Sequence, residues 1–128
     1  MSFTWQNILA VGIGGFSGAI LRFYLNIVIA KNFPYDIPLA TLSVNIIGGF
    51  SIGFLVALFL HFTPLEWVRL LLITGFLGGL TTYSAFAIET FFLLQSSLWL
   101  GILNIALNLI GSIVAVAIGY KLMLYFLR

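Results

Sequence analysis

The sequence contains no cysteine and few charged residues, and each scarcity excludes a class of protein. Without cysteine the chain can form no disulfide framework, no thiolate metal site and no thiol nucleophile. Its five basic and three acidic residues leave a formal net charge of +2, which is too small to indicate a nucleic-acid partner. An enzyme is disfavoured as well, because the single histidine, His61, has no acid-base partner in the apolar tracts.

Apolar residues, by contrast, make up 62% of the 128 residues. Such a composition is typical of an integral membrane protein, in which roughly 20 residues of helix cross the hydrocarbon core. We expect no cleaved signal peptide, since no basic region precedes the first apolar tract. The sequence predicts one all-α transmembrane domain over residues 1–128, embedded in the lipid bilayer. Its four approximate spans are 5–29, 38–61, 67–95 and 99–125.

The connections between the predicted spans are short and carry turn or interface residues. Lys31–Pro38 contains two prolines, His61–Arg69 contains one, and Gln95–Trp99 is only briefly polar. The last two spans should therefore form a tight antiparallel pair.

Basic residues are almost evenly divided between the two predicted sides of the membrane. Arg69, Lys121 and Arg128 fall on one side, and Arg22 and Lys31 fall on the other. Because an excess of Lys and Arg on the cytoplasmic side sets orientation, a chain with so little excess can insert both ways and pair as an antiparallel homodimer. A single orientation fixed by other means stays open.

Small residues recur at helical spacing on three of the predicted spans, which indicates faces for close helix packing. These residues are Ala10, Gly14 and Gly18; Asn45, Gly49, Gly53 and Ala57; and Gly111, Ala115 and Gly119.

Polar side chains form two stripes within the apolar spans. Asn104, Asn108 and Ser112 are spaced at i, i+4 and i+8 on the fourth span, and Thr41 and Asn45 are spaced likewise on the second. An unpaired polar group in lipid costs several kcal/mol, so both stripes should face protein or water. They could serve as interhelical hydrogen bonds, or they could together line a narrow hydrated path without charge.

The segment "GFLGGLTTYSAF", Gly75–Phe86, combines glycines and hydroxyls where the third span should be continuous. Each glycine weakens a helix by up to about 1 kcal/mol relative to Ala, and the hydroxyls can satisfy freed backbone groups. The segment therefore predicts a broken third helix, whose exposed carbonyls are natural ligands for a cation such as Na⁺. A kink that serves only packing is the alternative. Tyr83 and Phe86 follow directly, and an aromatic ring edge is electropositive enough to meet an anion.

Four motifs in this order resemble the fluoride channel family called Fluc or CrcB: "GAILR" at Gly18–Arg22, "VNIIGG" at Val44–Gly49, "GFLGGLTTYSAFAIE" at Gly75–Glu89 and "NLIGS" at Asn108–Ser112. The resemblance covers essentially the whole chain. It implies a small four-helix chain in the cell membrane, plasma or inner, that assembles as an antiparallel, dual-topology homodimer. It also implies passive loss of cytoplasmic fluoride through two pores, with one structural Na⁺ on the dimer axis.

The resemblance also implies roles for individual residues. The backbone carbonyls of Gly78 and Thr81 would hold Na⁺, and the ring pair of Tyr83 and Phe86 would flank fluoride. The remaining residues of the implied fluoride path are Asn45, Thr82, Ser84, Asn104, Asn108 and Ser112. Tyr83 departs from the phenylalanine that is usual in the family, and Asn104 is not a residue that the family pattern demands.

Two charged residues lie close to the span interiors. Arg22 is near a helix end, where it could draw anions into a vestibule or extend to the interface. Glu89 should be held by hydrogen bonds or face away from fluoride, because a carboxylate would repel the ion.

Two other functions stay open at this point. A small proton-coupled exporter of organic cations would need a membrane carboxylate facing a roomy cavity, usually on the first helix, where this chain has none. A noncatalytic membrane subunit would need only the packing faces.

Overall fold

The computed structural model describes residues 2–128, and within that range the chain is helical and contains no strand. Four helical stretches are long and apolar enough to cross a membrane. We call them the first to fourth spans: Trp5–Asn32, Leu39–His61, Glu66–Ser96 and Leu98–Phe126. The predicted all-α membrane fold is confirmed, and the first span continues past its predicted end at residue 29.

The first, second and fourth spans are single helices, α1 (Trp5–Asn32), α2 (Leu39–His61) and α6 (Leu98–Phe126). Hydroxyl side chains cap the N-termini of two of these helices. The Thr4 hydroxyl oxygen accepts from the backbone N–H of Asn7 at 3.3 Å, and that of Ser97 accepts from the N–H of Leu100 at 3.4 Å. These bonds satisfy helix N–H groups that have no intrahelical partner.

The third span is interrupted within the predicted segment Gly75–Phe86. It consists of α3 (Glu66–Arg69), a π-helical segment (Leu70–Leu77), α4 (Gly78–Leu80), the extended pair Thr81–Thr82, and α5 (Tyr83–Ser96). Thr81 has φ −77° and ψ 155°, and Thr82 has φ −148° and ψ 116°. The break therefore follows the glycines, and the π-helical segment was not predicted.

The glycines of the third span allow close packing against the first span. A Cβ on Gly75 would lie 2.9 Å from the Gly14 Cα, and a Cβ on Gly79 would lie 3.1 Å from the Ala19 nitrogen. The distance at Gly75 is shorter than real Cβ contacts, and a Cβ on Gly79 would also lie only 2.5 Å from the Gly15 carbonyl oxygen. Both glycines have helical backbone. They are therefore required for close packing against the first span and are not required for the break.

The second and fourth spans pack against each other through the small faces predicted from the sequence. A Cβ on Gly53 would overlap the Val116 carbonyl oxygen, and a Cβ on Gly119 would lie 3.1 Å from the Phe54 nitrogen. The backbones can approach this closely only because these positions lack side chains.

The third span changes partner at its break. The part before the break packs on α1, whereas α5 packs on α6 and is joined to it by Ser97 alone. A Cβ on Gly101 would lie 3.1 Å from the Leu94 Cα, so α5 and α6 form the predicted tight antiparallel pair. The break thus lies between two packing units, with buried Val44, Leu77 and Leu80 beside it.

Candidate functional site

The extended backbone at Thr82 is held by the side-chain amide of Asn45 on α2. The Thr82 N–H donates to the Asn45 Oδ1 at 2.9 Å, and the Asn45 Nδ2 donates to the Thr82 carbonyl at 3.2 Å. This is the two-bond exchange that a neighbouring strand would provide in an antiparallel sheet. One side chain therefore satisfies a backbone unit that the broken helix leaves without partners.

The break leaves several carbonyls without the N–H donors of a continuous helix, and those of Gly78 and Thr81 are two of them. In a continuous helix the Gly78 carbonyl would accept from the Thr82 N–H, which here donates to Asn45. The Thr81 carbonyl would accept from the Ala85 N–H, which here donates to the Thr82 Oγ1 at 3.2 Å. The Thr81 carbonyl instead accepts from the Arg22 Nη1 at 3.4 Å. Oxygen donors of this kind suit a hard cation, so the donor set of Gly78 and Thr81 fits Na⁺.

From Asn45 a chain of hydrogen bonds crosses to the fourth span and back to the third. We call it the amide relay, and its members after Thr82 are Asn45, Asn108, Asn104, Thr90 and the Phe86 carbonyl. The Nδ2 of Asn45 donates to the Asn108 Oδ1 at 3.0 Å, and the Nδ2 of Asn108 donates to the Asn104 Oδ1 at 3.1 Å and to the Asn104 carbonyl at 3.2 Å. The Nδ2 of Asn104 donates to the Thr90 Oγ1 at 2.9 Å. The Thr90 hydroxyl donates to the Phe86 carbonyl at 2.7 Å, which closes the relay.

A groove of about 770 Å³ opens beside the break, and its walls are mainly apolar. The Tyr83 and Phe86 rings meet edge to face in its wall, with centroids 5.5 Å apart and an angle of 62° between their planes. The uncharged polar groups along the groove come from Asn45, Thr81, Thr90, Asn108 and Ser112. Among residues 2–128, the hydroxyls of Ser112 and Tyr83 have no hydrogen-bond partner, so both remain able to donate to a small anion.

The structure brings most of the predicted site residues together. The groove is lined by Gly78, Thr81, Tyr83, Phe86, Asn45, Asn108 and Ser112. Thr82 and Ser84 lie outside its lining, and their hydroxyls are 3.3 Å apart. Asn104 is fully buried at 0% exposure and does not reach the groove.

Thr90 is a polar member of the site that was not predicted from the sequence. It lies one helical turn after Phe86 and directly after Glu89, and it is buried. Its spacing of i+4 from a predicted site residue was the available signal. The sequence could not show that Asn104 faces it across the α5–α6 pair.

The two charged residues near the span interiors have defined partners. Arg22 lies at the break, where it donates to the Thr81 carbonyl. Glu89 accepts from the Thr41 Oγ1 at 2.7 Å and does not line the groove. Glu89 is thus held by a hydrogen bond and turned away from the groove, as we expected, and Thr41 of the shorter stripe has a structural partner.

Comparisons with known proteins agree on one family. The family model described as "CrcB-like protein, Camphor Resistance (CrcB)" matches residues 9–120. A relative from Sulfurimonas denitrificans is 48% identical over 127 residues, which cover 98% of each chain. Relatives from Campylobacter fetus subsp. fetus and Nautilia profundicola are 48% identical over 122 residues and 41% identical over 119. The first alignment covers 94% of each chain, and the second covers 91% of this chain and 93% of the relative. All three relatives are named "Fluoride-specific ion channel FluC".

Proposed function

This chain belongs to the CrcB-like protein family, and from that premise we propose that it is a fluoride-selective ion channel rather than an enzyme. The channel is a multi-pass membrane protein with four spans. Fluoride crosses it by passive electrodiffusion, so the cytoplasmic concentration of fluoride falls whenever the membrane potential drives the anion outward.

One observation carries this function: the break in the third span places an aromatic edge pair and uncharged donors along one groove. Fluoride is small and strongly hydrated, so a pore must replace its water by short hydrogen bonds. Ser112 and Tyr83 offer hydroxyls here, and the edge-to-face rings of Tyr83 and Phe86 offer electropositive edges.

The neutrality of these donors suits conduction as well as binding. An ion must enter its sites readily and also leave them, and a full positive charge in the groove would hold fluoride too tightly. A cation does lie at the break, since the Arg22 guanidinium donates to the Thr81 carbonyl. Arg22 does not line the groove, and its charge raises the local anion concentration at the entrance.

The working unit in this proposal is an antiparallel homodimer. In a single chain the groove is open along one side, and Gly78 is exposed there. The Gly78 carbonyl has also lost its helical donor, because the Thr82 N–H donates to Asn45 instead. A second copy in the opposite orientation would cover both features. The nearly even distribution of Lys and Arg supports insertion in both orientations.

A structural Na⁺ belongs to the same proposal, held by the Gly78 and Thr81 carbonyls. When bound, the ion would supply positive charge to carbonyls that the helix no longer satisfies. The chain itself already prepares the site, because Asn45 and the Thr82 hydroxyl divert the two N–H groups.

The other two candidate functions receive less support from the structure. An exporter of organic cations needs a carboxylate facing a cavity, whereas Glu89 is bonded to Thr41 and lies outside the groove lining. A noncatalytic subunit would have no need for an amide relay that ends at the backbone carbonyl of Phe86.

A proteoliposome efflux assay tests the proposed function. Vesicles loaded with fluoride in one set and chloride in another are diluted into ion-free buffer, and a potassium ionophore dissipates the voltage. Ion-selective electrodes should record fast fluoride release and retained chloride. Vesicles that keep their fluoride would overturn the channel function, and equal release of both ions would overturn the selectivity.

Labelling from one side of the membrane tests the dual topology. Because the chain has no cysteine, a single Asp36→Cys or Arg128→Cys substitution gives one unambiguous label site. Dual insertion predicts that an impermeant thiol reagent added to intact cells labels about half of each variant. Full labelling of one variant and none of the other would show a single orientation.

A further inference from the structure

The direction of the amide relay is fixed by its first bond. The N–H of Thr82 can only donate, so the oxygen of the Asn45 amide must face it and the Asn45 nitrogen must face Asn108. The Asn108 oxygen then faces Asn45, and its nitrogen faces Asn104. The amide orientations thus follow from chemistry and do not depend on telling nitrogen from oxygen by position.

The same logic decides what the far end of the relay needs. Once the Asn104 oxygen accepts from Asn108, its nitrogen must donate onward, and the group it meets is the Thr90 Oγ1 at 2.9 Å. That oxygen must accept this bond, so its own proton goes to the Phe86 carbonyl. Only a hydroxyl accepts and donates at one atom, which makes threonine or serine the side chain that fits.

Water is a poor replacement for the Thr90 hydroxyl at Asn104, because Asn104 is fully buried and a valine methyl group at position 90 would occupy the place of the hydroxyl. Asn104 is 0% exposed and Thr90 is 7% exposed. Without the hydroxyl, the Asn104 nitrogen would be a buried donor with no acceptor, and turning the amide over would set that nitrogen against the nitrogen of Asn108. The conflict would then pass to Asn108 and Asn45, the two amides that line the groove.

We propose that Thr90 and Asn104 are a positioning pair that holds, from the far end of the relay, the orientation that the Thr82 N–H gives to the Asn45 and Asn108 amides along the fluoride path. This inference rests on the proposed channel function. It places Asn104 behind the pore wall, where it directs other donors and does not contact fluoride. It also gives a role to Asn104, which shares a helix face with Asn108 and Ser112 but does not reach the groove.

Thr90→Val keeps the shape of the side chain and removes the hydroxyl, so it is the first test variant. Fluoride release from proteoliposomes should fall about tenfold, the effect of leaving one buried donor unpaired. Thr90→Ser keeps the hydroxyl and should retain at least about half of the wild-type rate. Ser96→Ala is the matched control on the same helix, since the Ser96 hydroxyl also donates to a helix carbonyl but is exposed.

The double variant Thr90→Val with Asn104→Leu separates positioning from stability. Replacing both partners by apolar groups of similar shape removes the unpaired donor, so thermal stability in detergent should return toward the wild-type value. Fluoride release should stay low, because the Asn108 Nδ2 then keeps only the backbone carbonyl of residue 104 as its acceptor and its amide is held less firmly. If Thr90→Val does not fold, the double variant carries the test.

The outcomes distinguish this inference from the function on which it rests. A wild-type protein that releases no fluoride overturns both the channel function and the positioning pair. A conducting wild type with undiminished release from Thr90→Val overturns the positioning pair alone. Recovery of release together with stability in the double variant also overturns it, because Thr90 would then serve packing only. Low release from a stable double variant, with rescue by Thr90→Ser, supports it.

Discussion

Asn45 and Thr82 are bonded twice, from the Thr82 N–H to the Asn45 Oδ1 at 2.9 Å and from the Asn45 Nδ2 to the Thr82 carbonyl at 3.2 Å. The pair joins the second span to the break in the third. It satisfies the extended backbone in a setting without bulk water, and it fixes the direction in which the amide relay donates. The break and the polar stripe of the fourth span are therefore one structural unit.

Asn45→Asp should keep the bond from the Thr82 N–H and remove the bond to the Thr82 carbonyl. The aspartate keeps an acceptor for the Thr82 N–H but turns a second oxygen toward the Thr82 carbonyl and the Asn108 Oδ1. Losing both donors should lower stability by roughly 1–3 kcal/mol and cut fluoride release more than about tenfold. Thermal melting in detergent and the efflux assay measure the two effects.

Asn32→Asp is the control for that substitution. The Asn32 amide also donates to a carbonyl, that of Val28 at 2.7 Å, but the residue is exposed. Its effect on stability should stay within about 0.5 kcal/mol. Equal losses from both variants would mean that the bond to Thr82 has no special role.

Phe86→Ile should abolish or strongly reduce fluoride release and leave the protein folded, because it removes the ring that meets Tyr83 edge to face. Tyr83→Phe should conduct, since the ring edge survives and only the hydroxyl is lost. Phe92→Ile is the matched control, because the Phe91 and Phe92 rings form a similar pair at 5.6 Å. Undiminished release from Phe86→Ile would remove the ring pair from the mechanism.

Gly53→Ala should destabilise the protein, because the added methyl group would overlap the Val116 carbonyl oxygen where α2 meets α6. Overpacking of this kind costs roughly 1–3 kcal/mol. Gly12→Ala is the opposite case, since a Cβ there has nothing within 4 Å, and the better helix former should add up to about 1 kcal/mol. Melting temperatures should move in opposite directions, and a fall for both variants would contradict the packing account.

Arg22→Gln should slow fluoride release at low ionic strength and have less effect as salt is added. Screening over about 10 Å at 0.1 M salt weakens the attraction of the guanidinium for approaching anions. Arg22→Lys keeps the charge and should retain most of the rate. If Arg22→Lys instead behaves like Arg22→Gln at every salt concentration, the bond to the Thr81 carbonyl matters more than the charge.

Removing Na⁺ should lower the melting temperature of the purified protein, since a ligand bound only to the folded state stabilises it. The comparison replaces Na⁺ by a large organic cation at constant ionic strength. A melting temperature that does not depend on Na⁺ would count against the site at Gly78 and Thr81.

Several parts of the site could be predicted because each depends on local sequence. A polar residue in an apolar span must find a partner, so Asn45, Asn104 and Asn108 stood out. The hydroxyls that follow Gly78 indicated a break in the third span. Its exact position could not be predicted, because the glycines that weaken the helix are held helical by packing against α1.

Thr90 shows why the rest of the site could not be predicted from the sequence. Its hydroxyl could equally have bonded only to the carbonyl one turn earlier, which is common for threonine in a helix. Its role depends on Asn104 lying opposite, and that follows from the single-residue turn at Ser97 and the register of α5 against α6.

The sequence by itself determined that the chain crosses a membrane four times, that its helices pack through small faces and that its third span is weak near Gly75–Phe86. These properties follow from composition and from helical spacing, which act within one segment. Only the tertiary structure decided where the third span breaks and in which direction the amides donate. Both depend on which groups from different spans meet, and hydrogen bonds between spans form only at one depth and one rotation of each helix.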